Sequence, residues 1–298
     1  MAKLVCFGFG YCAEHFIAEF GGKFEPIVGT VRSAERAAIL NAYPPERVRA
    51  VVFDGVRVTP VLERAMAVAD HALISVPPGA TGDPVLAACG AALAGLGTLR
   101  TLVYLSTVGV YGDHSGGWVD EQTMVAPISE RGRWRVAAEA GWQEFGARCG
   151  IAVAILRLAG IYGPGQNALA ALARGKARRI VKAGQVFNRI HVADIAQAIN
   201  RAFARRADGI FNVTDDEPSP PADPIVFAAQ LMSREPPPEI PFADAAPSMS
   251  EMGLSFWQEC RRVRNDKLKR ELGVSLRYPT YRDGLRALLK DINAGSAL

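Results

Sequence analysis

Apolar runs of strand length recur along this chain, and helical stretches separate them. The runs cover residues 4–7, 27–31, 50–53, 72–76, 99–105 and 151–156, with alanine-rich helical spacing over 12–20, 34–41, 59–69, 83–95 and 133–148. Runs apolar on both faces that alternate with helices predict a parallel sheet covered on both sides. The right-handed crossover rule then makes a doubly wound α/β fold the natural arrangement. Beyond residue 160 the alternation fades. A turn is expected at 161–165, a basic helical piece at 174–179, extended chain at 186–191, a helix over 192–204 and a further strand at 210–213. Nine prolines between 216 and 248 argue against long strands there. Short helices at 223–233 and 280–292 complete a small, irregular C-terminal lobe.

In sheets of this kind ligands collect beyond the carboxyl ends of the strands, so the residues closing each run matter most. The first run enters Gly8-Phe9-Gly10-Tyr11-Cys12-Ala13, a G-x-G-x-x-A turn that opens a helix. Unpaired N–H groups and a partial positive charge at a helix start suit a pyrophosphate. Gly8 permits the tight turn, Gly10 admits the phosphates, and small Ala13 lets helix and strand pack closely. A plain strand–helix turn has the same look; position ahead of repeated strand–helix units favours the dinucleotide. The second run stops at Arg32-Ser33. An acidic residue there takes the ribose of NAD, whereas a basic one accommodates a 2′-phosphate. NADP is therefore the expected cofactor and NAD the alternative, against a solvated arginine at a helix start. Later runs end in Asp54-Gly55, in the rigid turn Ser75-Val76-Pro77-Pro78-Gly79, and in Ser106-Thr107.

Composition narrows the partners. The 298 residues are 49% hydrophobic and 21% charged with a net charge of +4, ordinary for a globular protein and too little to argue for nucleic acid. No stretch approaches the ~18–20 apolar residues of a membrane span. The strand at the start leaves no room for a signal peptide, and the five cysteines lack metal-type spacing, so a cytoplasmic protein with reduced thiols is expected. Cys12 is a candidate reactive thiol, because a helix N-terminus lowers thiol pKa.

Several motifs then occur in a recognisable order. They are the glycine turn at 8–13, Asp54-Gly55, Tyr104-Leu105-Ser106-Thr107 with Val110-Tyr111-Gly112, Leu156-Arg157, Tyr162-Gly163-Pro164-Gly165, Asn188-Arg189-Ile190-His191-Val192-x-Asp194, and Phe211-Asn212-Val213. Over residues 3–215 the chain resembles the extended short-chain dehydrogenase/reductase superfamily, the NAD-dependent epimerases and dehydratases. The resemblance implies a Rossmann domain of residues 1–163 and 188–214, with a small substrate lobe of 164–187 and 215–298. It places Gly8, Gly10, Tyr11, Cys12 and Ala13 at the pyrophosphate, Arg32 at the adenosine ribose end, Asp54 near adenine, and Ser75 and Pro77 beside the cofactor. It makes Thr107 the catalytic hydroxyl, while a loop-capping role for Thr107 stays open. Tyr162 stacks near the nicotinamide or simply packs. Tyr111 reads as packing, and His191 as a structural hydrogen-bonding residue.

The departures matter as much. The Tyr-x-x-x-Lys positions, counted back from Glu139, hold Arg131 and Arg135. A phenol donates and recovers a proton, whereas a guanidinium stays protonated. Arg135 would still serve as a cation near the nicotinamide ribose; Arg131 cannot replace tyrosine. Four apart, the two share a helix face; lining the cleft they would attract a carboxylate or phosphate, and facing water they are ordinary surface. Gly160 stands where nucleotide-sugar epimerases commonly place asparagine. The pattern is most similar to the atypical, YeeZ-like branch, and the stretch Arg264 to Leu285 adds to that likeness. Three functions follow: an NAD(P)-dependent oxidoreductase-like protein with a small, anionic substrate, a non-catalytic NADP-binding sensor, or a nucleotide-sugar epimerase or dehydratase. A homodimer through helical faces accords with the superfamily.

Overall fold

The computed structural model describes residues 1–42, 48–95 and 97–293. Five strands, β1 (Ala2–Phe7), β2 (Phe24–Val31), β3 (Val48–Val52), β4 (His71–Ile74) and β5 (Thr101–Thr107), are joined by Ala152–Leu158 and Gly209–Val213 in one seven-stranded sheet. Every pairing in it is parallel. The order across the sheet is Gly209–Val213, Ala152–Leu158, β5, β4, β1, β2, β3, so the winding reverses between β4 and β1. That reversal opens a crevice at the carboxyl ends.

Helices cover both faces, as the two-sided apolar runs require. On one face α1 (Tyr11–Phe20) lies with α2 (Ala34–Ala42) and the helix Val192–Arg205, where Phe16 meets Phe24 and Phe203 at ring distances of 5.8 and 5.9 Å. On the other, α3 (Pro60–Ala67), α4 (Pro84–Ala94) and α5 (Glu130–Cys149) bury Leu62, Met66, Leu93 and Trp142 against β4 and β5. Thr59 and Asp83 cap α3 and α4 through their side-chain oxygens, with proline at the first helical position of each.

The α5 helix begins three residues earlier than its periodicity predicts. Ser129 accepts the Gly132 N–H, and the absent side chain of Gly132 makes room for Pro127, whose Cβ would lie 2.6 Å from an added methyl. The basic helical piece expected at 174–179 is a correction. The helix there is Ala168–Ala173, capped by Asn167, and it stops at Gly175, whose φ of +64° breaks the helical path; Arg179–Val181 is a strand paired with Glu239–Pro241. Arginine's helix propensity was outweighed by that stop. Around these segments Tyr162, Leu169, Ala228, Tyr281, Leu285 and Leu288 form a smaller core. Val263, Leu268 and Leu272 bury instead in the main core beside the sheet.

Candidate functional site

Two cavities, each about 590 Å³, open at the carboxyl ends of the strands. The first spans β1 to β4 and is bounded by Gly8, Gly10, Arg32, Asp54, Ser75 and Pro77. Gly8 has φ +88°, and a Cβ there would lie 2.6 Å from Ser75 Oγ, so both conformation and space demand glycine. The Ser75 hydroxyl lies 2.5 Å from the Gly8 carbonyl oxygen, and the Gly8 N–H donates to Thr30 Oγ1 at 2.9 Å. Ser75 thus fixes the loop's shape from inside. A Cβ on Gly10 would meet nothing within 4 Å, and α1 has no side-chain cap. The first N–H groups of α1 therefore face an open, uncrowded approach, which fits a diphosphate.

Arg32 is exposed on the cleft wall. Its neighbour Arg36 pairs with Glu14 at 2.7 Å. Asp54 accepts the N–H groups of Val56 and Arg57 at 2.9 and 2.8 Å, and those bonds hold its carboxyl below the usual range. Ala13 is fully buried against the sheet, as expected of the third position. Tyr11 lies at the loop's far side, its hydroxyl donating to Pro164 O at 2.9 Å. Cys12 is a correction. Burial pushes its thiol up to about 11, the reverse of activation, because desolvation outweighs the helix N-terminus.

The second cavity spans the ends of β5 and Ala152–Leu158. Thr107 lines it, with Oγ1 accepting the Gly109 N–H at 3.1 Å. Capping and a free hydroxyl proton coexist there, since an oxygen accepts and donates at once. Tyr162 lines this cavity and not the glycine-loop cleft; its hydroxyl leans toward Thr280 O at 3.4 Å and its ring packs on His191 at 5.1 Å. His191 caps its own helix through Nδ1 and the Ala193 N–H, and burial lowers its pKa to about 3, so it stays neutral. Tyr111 is buried, with its hydroxyl on Asn212 Oδ1 at 2.8 Å.

Arg131 and Arg135 line neither cavity, correcting the expected cationic cleft wall. Arg135 turns inward, where Nη1 donates to Leu105 O at 2.8 Å and Tyr104 Oη at 3.1 Å. Arg131 is exposed and reaches Met252. A helix face does not fix where a long side chain ends, and backbone carbonyls at the end of β5 outcompete the cleft.

A buried network between β5, α5 and the strand Ala152–Leu158 links residues that no single motif of the sequence joins. Glu139 receives the Arg157 guanidinium edge-on, Nη2 to Oε2 at 2.7 Å and Nε at 3.2 Å, and also accepts the Ser106 hydroxyl. Both charged side chains are 4% exposed. Arginine inside an apolar strand run was the available signal. Also missed were Phe187, Phe256, Trp257, Glu259 and Arg261, which line the cavity from distant segments without a local motif.

No helix among the described residues is long and apolar enough to cross a membrane, and none of their side chains form a metal-binding cluster. Residues 82–214 match the model of the NAD dependent epimerase/dehydratase family. A 3-diazoavenalumate denitrifying reductase from Streptomyces sp is 31% identical over 157 residues; the match spans 50% of this chain and about half, 51%, of that relative. A functionally unknown conserved protein from Silicibacter pomeroyi DSS superposes with a TM-score of 0.87 at 42% identity, covering 98% of this chain and 99% of that one. MoeE5 in complex with UDP-glucuronic acid and NAD shares the fold alone, with a TM-score of 0.76 at 18% identity over 99% and 100% of the two chains. Sheet order, glycine loop and these likenesses converge on one reading: residues 82–214 carry the NAD dependent epimerase/dehydratase match, and the whole chain shares the parallel α/β fold of epimerase/dehydratase structures.

Proposed function

We propose that this chain is an NADP(H)-binding, reductase-like member of the atypical branch, without the Tyr-x-x-x-Lys pair and closest in pattern to the YeeZ-like group. One observation carries the cofactor reading: the uncapped start of α1 and exposed Arg32 share a single cleft. The N–H groups after Gly10 hold a diphosphate, and Arg32 pairs with a 2′-phosphate. A dinucleotide held there would supply hydride-transfer chemistry. Thr107 orients a substrate oxygen in the second cavity with its hydroxyl proton. Without a tyrosine at position 131, the proton comes from water, the substrate or another side chain of the site. The reductase name of the curated relative favours turnover in the reducing direction. Residues 1–163 and 188–214 serve the cofactor and 164–187 and 215–298 the substrate, with 262–276 returning to the main core. Five free cysteines accord with a cytoplasmic setting.

The absent tyrosine equally favours a second reading, an NADP-dependent sensor without turnover. Titration of NADPH and NADH by nicotinamide fluorescence tests the shared part. NADPH binds more tightly, and Arg32→Glu weakens it by about tenfold or more while sparing NADH. Tighter binding of NADH to the unaltered protein contradicts the 2′-phosphate reading. A metabolite screen at the nicotinamide absorbance band then separates enzyme from sensor.

A further inference from the structure

The polar inventory of the second cavity is almost exhausted by the protein itself. Asn188 spends both ends of its amide, donating to Arg261 O at 3.0 Å and accepting the Val263 N–H at 2.9 Å. Arg189 donates to Ser219 Oγ at 2.8 Å and Phe187 O at 3.1 Å. Glu259 is held by Arg261 Nη1 at 2.6 Å, and that same nitrogen donates to Gly112 O at 2.6 Å. A nucleotide sugar, with a diphosphate and many hydroxyls, would find few free partners here.

Besides the Thr107 hydroxyl, what stands out is one edge of the Arg261 guanidinium. Arg261 is 9% exposed, its Nε is buried with no partner, and no described residue bonds its Nη2. That nitrogen lies 3.9 Å from where a Cβ on Gly109 would sit, beside the Thr107 hydroxyl. Nε and Nη2 form the side-on fork that takes a carboxylate through two parallel hydrogen bonds. This chain uses the same edge of Arg157 to hold Glu139. A buried donor left unpaired, as Nε is, is costly, so a guanidinium edge without a protein partner at a cavity marks a place for an acceptor.

The surrounding walls are apolar. Val108, Leu158 and Ile161 face Phe187 and Trp257, whose rings are 5.3 Å apart, while Phe256 stands 59% exposed at the rim. The charges of Arg189, Arg261 and Glu259 leave a single positive excess, which suits a monoanion. We propose that this cavity takes a flat aromatic or conjugated monocarboxylic acid, its carboxylate on the Nε/Nη2 edge of Arg261. The assignment rests on the reading of this cavity as the substrate side of the cofactor cleft, and it replaces the nucleotide sugar with a different ligand class.

Calorimetric titration of the full chain with trans-cinnamate, cinnamyl alcohol and UDP-glucose, each with and without saturating NADPH, tests it. Cinnamate binds at least about tenfold more tightly than the neutral alcohol and than UDP-glucose. Arg261→Lys, which keeps the charge and loses the fork, weakens cinnamate by about tenfold and leaves NADPH affinity unchanged. Phe256→Ala, at an exposed position that does not threaten folding, weakens cinnamate and the alcohol alike. Tighter UDP-glucose binding, equal affinity for acid and alcohol, or no binding of either overturns the assignment. Failure of NADPH alone to bind counts against the cofactor reading instead, so the two failures are distinguishable.

Discussion

The two cavities have nearly the same volume and lie on the same edge of one sheet, yet they are built differently. The glycine-loop cleft is framed by the ends of successive strands, with a turn at positive φ and the first N–H groups of α1 at its centre. The Thr107 cavity is made of side chains from segments near 107, 160, 188 and 257, held by bonds such as Asn188 to Arg261 across 73 residues. Backbone sites must be written locally, because the turn that forms them spans a few residues. Side-chain sites need only converge in space.

The largest effect is expected beneath the side-chain cavity. Glu139→Ala leaves Arg157 charged and buried without its partner, and should cost about 3–5 kcal/mol in chemical denaturation. A loss below 1 kcal/mol would mean the network does not support that floor. Gly8→Ala strikes the other cavity, forcing a side chain into a left-handed conformation and against Ser75. It should cost about 1–3 kcal/mol and reduce NADPH affinity more than tenfold, leaving cinnamate binding by the free protein unchanged. Loss of both ligands together would show that the two cavities are not independent.

Asp215 offers a smaller, pH-dependent contrast. Burial raises its pKa to about 8, Asp216 and Asp194 add to the rise, and Arg189 opposes it. A carboxyl whose folded pKa exceeds its unfolded value contributes stability that is full at low pH and lost as pH rises toward 8. Asp215→Asn should therefore compare best with the parent in Tm near pH 4, below which the contribution is full, and gain on it by a few degrees at pH 9. An unchanged difference between the two would remove Asp215 from the balance. Arg131→Ala should do least, shifting NADPH and cinnamate affinity by less than twofold in calorimetry, since Arg131 reaches Met252 and neither cavity.

The same distinction explains what the chain's letters revealed. Gly8, Gly10, Arg32, Asp54, Ser75 and Pro77 were readable because each closes a strand of a regularly alternating pattern, and all six line one cleft. The parallel sheet was readable for the same reason. Arg135 was not, because its destination depends on Leu105 O and Tyr104, which no helical spacing encodes. Arg261 was invisible: its meaning comes from which of its nitrogens other segments leave free. The helix at Ala168–Ala173 was displaced in the reading because arginines after it suggested continuation where Gly175 stops it.

A crystal structure of the protein soaked with NADPH tests the central claim most directly. The account predicts the diphosphate over Gly10 at the start of α1, the 2′-phosphate within hydrogen-bonding reach of Arg32, and the nicotinamide end directed toward Thr107. A dinucleotide lodged in another part of the molecule, or a glycine-loop cleft empty at saturating NADPH, would contradict it.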